Sequence, residues 1–245
     1  MLAKRVYVYA VLMAACLCLS NVRADMFGFM PISHNAGATA DAVAAQLSLE
    51  VTQSGPNVLF TFRNNLAPGF VVPSPLQSSI TGAWFDDRAD ILSSLMGISN
   101  GTGVSFSPGG NPDNLPSGNN LTPPFGHPTG QGNKRVADFW ATADSPTASK
   151  GVNAGEQFGL SFSYVAPADL ATVLAALNAG AGNPTADTDT LRIGIHVQQL
   201  IPPTGGPVTS DAFVLTPPPA VPVPAAVLLG VLGLTTAGCR LRRFA

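Results

Sequence analysis

The chain has 245 residues, and its 14 acidic residues all fall between Asp25 and Asp211, where only six basic residues oppose them. The resulting interior net charge of −8, against −2 for the whole chain, argues against nucleic acid or an anionic membrane surface as a partner of that region, since both call for basic patches. All three cysteines, Cys16, Cys18 and Cys239, lie in the terminal stretches, so the interior has no disulfide, no thiolate metal site and no cysteine nucleophile.

The N-terminus reads as an export signal. Lys4 and Arg5 form a basic start, and Val6 to Leu19 is an apolar run too short to span a bilayer comfortably. Val22 and Ala24 then put small residues where signal peptidase reads, so cleavage after Ala24 is expected and residues 1–24 are set aside from fold reasoning.

Residues 25–216 read as one body. Leu47, Leu49 and Val51 alternate with polar residues, as do Val58, Phe60 and Phe62, and Ser54-Gly55-Pro56-Asn57 between them reads as a hairpin turn. Shorter strands are expected over Ile80 to Phe85, Val104 to Phe106, Phe139 to Thr142 and Ala212 to Leu215. Longer ones carry Phe158, Leu160, Phe162 and Tyr164, and then Leu191, Ile193, Ile195 and Val197. One short helix is expected from Pro167 to about Asn178, with Asp169 at its positive end and Leu170, Val173, Leu174 and Leu177 on one face. Ser99 to Gly132 is rich in Gly, Pro and Asn, and is either an ordered loop anchored by Val104, Phe106, Leu115, Leu121 and Phe125 or a mobile insertion. The fold class this implies is all-β: an antiparallel, jelly-roll-like β-sandwich with one short helix, flanked by an N-terminal signal helix and a C-terminal transmembrane helix.

The tail has three parts. Residues 217–224 form a proline-rich spacer that joins neither a helix nor a central strand. Residues 225–245 hold a short apolar helix candidate and the cluster Arg240, Arg242 and Arg243. The six strong apolar residues between Val227 and Leu234 contribute about −2 to −3.5 kcal/mol of insertion free energy, which suits a temporary anchor, and the arginines should stay cytoplasmic. Val221, Pro222, Pro224 and Ala225, followed by the apolar segment and the arginines, resemble the PEP-CTERM sorting signal in its VPxPA-type variant, with Val223 where the commoner form has Glu. That resemblance covers about the last 25 residues. It implies export by a Gram-negative bacterium and processing by exosortase. It also implies transient anchoring in the inner membrane, then release or attachment at the cell surface or in a polysaccharide-rich extracellular matrix or biofilm.

The body offers no strong catalytic pattern. His34, His127 and His196 lack the spacings of zinc sites, no Gly-x-Ser-x-Gly elbow occurs, and His196 is expected on a strand's solvent face. Asp86, Asp87 and Asp90 follow Trp84-Phe85 and are candidate calcium ligands, with polar turns that cap strands or the next short helix the favoured reading. Trp84 and Trp140 would stack on sugar rings if exposed, with core packing the favoured alternative. A hydrolase would draw on Glu50, Glu156 or the Asp86 cluster. The expected function is a non-enzymatic exported surface or matrix protein with no cofactor other than calcium; a carbohydrate-binding module and a secreted hydrolase are the alternatives.

Overall fold

The computed structural model describes residues 25–182, 188–202 and 205–217. The expected signal peptide with Val22 and Ala24, the motif Val221, Pro222, Pro224 and Ala225, and Arg240, Arg242 and Arg243 lie outside the described residues. Among the described residues no helix is long and apolar enough to cross a membrane.

Two antiparallel sheets face each other. The first has the order β1 (Asp25–Phe27), β3 (Leu47–Ser54), β4 (Asn57–Asn64), β12 (Glu156–Tyr164), β6 (Leu92–Asn100). The second runs β2 (Phe29–Pro31), β14 (Thr209–Leu215), β13 (Leu191–Leu200), β5 (Ser79–Asp87), β10 (Phe139–Ala143), β7 (Phe106–Pro108), with β11 (Val152–Asn153) also paired to β5. A small ribbon joins β8 (His127–Pro128) to β9 (Arg135–Val136). From β4 to β7 the chain alternates between the sheets as a jelly roll does, whereas the hairpins β3–β4 and β13–β14 each stay within one sheet.

Alternation places Leu49, Val51, Phe60, Phe62, Phe158 and Phe162 inward from the first sheet, all at 1 % exposure or less. Phe85 meets them from the second sheet: its ring centroid lies 5.1 Å from Phe60, 6.2 Å from Phe62 and 4.9 Å from Phe162. The expected helix is present as α3 (Leu170–Gly180), capped by Asp169, whose carboxylate accepts the Thr172 N–H at 2.9 Å. Two further short helices, α1 (Ala38–Ala44) and α2 (Thr147–Lys150), correct the expectation of one.

Strand β6 was not legible as a strand. Its core-facing residues Leu92, Leu95 and Ile98 recur every three positions. They stand opposite Tyr164, Phe162 and Leu160 of β12, and the register shifts twice, which leaves Ser93 and Met96 as extra residues in bulges. β6 is also an outer strand of its sheet, nine residues long and without charge or proline, whereas β1, β2 and β7 at the other borders have three residues each.

The Gly- and Pro-rich segment is ordered and lies over the outer face of the second sheet. Leu115 and Phe125 pack there with Trp84, Ala137, Ala212 and Val214 in a second, smaller core. All nine residues of β5 are therefore buried, because the sandwich core covers one face and this segment covers the other. Two glycines make the fit. A Cβ at Gly194 would stand 2.4 Å from Leu115 Cδ2, and one at Gly82 would stand 2.3 Å from the Trp84 ring.

Candidate functional site

Asp86 and Arg192 are register partners on β5 and β13, and both point to the outer face of the second sheet. The Asp86 carboxylate is fully buried. It is paired with Arg192 Nη2 and with Arg88 Nε, the latter at 2.6 Å, and it accepts the Gly126 N–H at 2.9 Å. The guanidinium groups continue into the overlying segment. Arg192 donates to the Pro123 and Pro124 carbonyls at 2.6 and 2.7 Å and lies 5.4 Å from the Phe125 ring centre. Arg88 and Arg135 both donate to the Gly126 carbonyl, at 2.6 and 2.7 Å. A buried carboxylate is costly unless opposite charges and donors surround it, and here the same arginines that neutralise Asp86 also fasten residues 123–126.

His127 stands at the rim of this cluster. Its Nε2 is 3.1 Å from Asp138 Oδ2 and 3.8 Å from Asp86 Oδ1, and ligand atoms of the three residues lie within 4.8 Å of one another. Asp138 also accepts the Asp87 N–H at 2.7 Å, and burial holds its carboxyl above the usual range. The triad has a metal-like shape, but Asp86 already has two guanidinium partners, so a divalent cation placed there would face both of them. The arrangement as it stands clasps the loop to the sheet.

The three carboxylates expected to bind calcium do not converge. Asp86 belongs to the arginine clasp. Asp87 turns the other way and accepts the N–H groups of Ile91 and Leu92 at 3.0 and 2.7 Å, while Asp90 is exposed at a positive φ of 50°. Sequence proximity suggested a shared ion, and the pleat of β5 sends neighbours to opposite faces. Trp84 is buried, its Nε1–H donating to the Pro112 carbonyl at 3.1 Å, and Trp140 is half-buried, donating to the Gly110 carbonyl at 3.0 Å. Glu50 is paired with Arg63 at 2.6 Å, and Glu156 accepts the backbone and side-chain N–H of Asn153 at 2.8 and 3.0 Å. His34 has a positive φ of 52°. His196 is half-buried, 3.2 Å from the Thr81 hydroxyl, not on an open solvent face.

Two of these groups give the fold a pH dependence with opposing signs. Burial raises Asp87 to about 6, against the pull of its two N–H donors, so its share of stability grows as pH falls from about 6 towards 4. Burial lowers His196, partly offset by Asp211, so its share is lost as pH falls below about 6.5. Asp87→Asn keeps an acceptor for Ile91 and Leu92 and abolishes the first slope. Urea midpoints measured from pH 7 to pH 4.5 should therefore fall more steeply in this variant than in the parent; parallel curves would refute the assignment.

A concave feature lies on the outer face of the first sheet, where β3, β4, β12 and the end of β6 form a hollow of about 370 Å³ lined by the Glu50–Arg63 pair, by uncharged polar residues, by Leu59 and Phe158 and by two glycines. No family model, curated protein or solved structure matches this chain.

Proposed function

We propose that the chain is a non-enzymatic exported protein of the cell surface or extracellular matrix. In this reading signal peptidase removes residues 1–24, the apolar tail holds the body at the inner membrane, and an exosortase-like enzyme acts at the motif Val221, Pro222, Pro224 and Ala225. The body then associates with extracellular polysaccharide. The observation that carries the reading is the pairing of two sorting signals around an acidic, cysteine-free body. Within that body, Glu50 is paired with Arg63, Asp86 with Arg88 and Arg192, and Glu156 accepts from Asn153, so each of these carboxylates already has a partner.

Intact-mass measurement of the exported form fixes both ends at once. Changing Arg240, Arg242 and Arg243 together to serine should shift the chain between membrane and extracellular fractions or alter the mass of its tail. Unchanged mass and fractionation would remove the sorting role from the arginines. A second reading, a carbohydrate-binding module, draws on the polar hollow of the first sheet; the tryptophans offer it little, with Trp84 buried.

A further inference from the structure

We propose that the hollow on the outer face of the first sheet is a binding site for a neutral polysaccharide, contacted by hydroxyl and amide groups without an aromatic platform. The inference rests on the extracellular reading above and places the ligand on particular atoms.

The floor is set by register. Glu50, Thr61, Gly159 and Ser99 form one row across β3, β4, β12 and β6, all outward. Gly159 supplies the depth. A Cβ there would stand 3.1 Å from Leu59 Cδ1 and would begin to fill the space. Arg63 and Gln157 form the next row, and the turn at Gly101 closes that end, its N–H donating to the Gln157 carbonyl at 3.2 Å. A Cβ at Gly101 would lie 2.5 Å from the same oxygen, so the backbone can approach this closely only at a glycine.

The lining decides the ligand class. The hydroxyls of Thr52, Thr61 and Ser99 make no protein hydrogen bond among the described residues, and Gln157 spends its Oε1 on Arg63 Nε at 2.8 Å while its Nε2 donates to nothing described. Unpartnered hydroxyls that both donate and accept, together with a free amide donor, match a ligand whose own hydroxyls do the same. The two charged groups neutralise each other at 2.6 Å, with side chains 19 % and 21 % exposed, so an anion or a cation would have to separate them. Of the two apolar side chains in the lining, Phe158 is buried and Leu59 is half-buried, so the hollow presents one aliphatic group and no open aromatic face, less than an apolar ligand needs.

The test uses the full-length chain and native gels cast with soluble β-glucan, mannan or the anionic polymer alginate. Retardation by at least one of the neutral polymers is expected. Gly159→Val fills the floor with a residue suited to a strand, and Thr61→Val removes one hydroxyl at constant shape; each should weaken retention at least tenfold, about 1.4 kcal/mol. Trp140→Ala should retain it. If Gly159→Val fails to fold, Thr61→Val together with Gln157→Leu carries the same test. No retardation by either neutral polymer, or retardation equal in the filled variants, overturns the site. Normal export with no retention would sink the hollow alone, whereas retention by a chain that stays in the cytoplasm would support the hollow and sink the extracellular reading.

Discussion

Replacing Phe85 by alanine should destabilise the fold by about 3–5 kcal/mol, read as a lower urea midpoint at unchanged slope. The ring is fully buried and touches Phe60, Phe62 and Phe162, so it is a direct bridge between the two sheets. Its edge-to-face contact with Phe60, at 76° between planes, is one that an aliphatic side chain cannot reproduce. The cavity would open at the centre of the sandwich, where neighbours on both sides are held by their strands and relax little. Phe85→Leu should recover more than half of the loss. A loss below about 1 kcal/mol for alanine would show that the sheets are held together elsewhere.

Asp86→Ala should cost a similar amount, about 3–5 kcal/mol, by a different route. The substitution takes the Asp86 carboxylate away from Arg192, which is only 4 % exposed. It also frees the Gly126 N–H from its acceptor. The damage should reach the loop, because Pro123, Pro124 and Gly126 are held by the same guanidinium groups. Hydrogen exchange should therefore quicken at residues 115–127 while the hairpin β3–β4 stays protected. The double variant Asp86→Leu with Arg192→Met should recover part of the stability, since an apolar pair escapes the desolvation cost. Loss of protection spread evenly over both sheets would argue against a local clasp.

The parts of the fold that were legible in the sequence are those where period two survives. β3, β4 and β12 keep strict alternation, as does β13 from Leu191 to Val197, and the turn at Gly55, with a φ of 58°, fixes the hairpin register. β6 was hidden because two bulges stretch its apolar spacing to three, a pattern that belongs to neither a plain strand nor a helix. The helices α1 and α2 are short, at seven and four residues, too brief for periodicity to register. At the site, the cluster of acidic residues marks Asp86 in the sequence, but not its ion pair with Arg192. Its partner Arg192 is 106 positions away, and nothing local marks a pairing that only the register of β5 and β13 creates. The hollow was invisible for the same reason: Glu50, Thr61, Gly159 and Ser99 come from four separate strands. The anchoring of the Gly-rich segment by Leu115 and Phe125 was the more tractable part, since isolated large apolar residues in a polar stretch have to be buried somewhere.

The doubled kink in β6 also bears on how these molecules behave when crowded. Ser93 and Met96 throw the free amide and carbonyl groups of that strand out of step, leaving only Gly97 to Asn100 as an unbroken run to template an incoming chain. Four residues are a poor seed for cross-β growth, so a strand that by composition should recruit others end to end is kept from fibril formation by its geometry, without any charge to repel them.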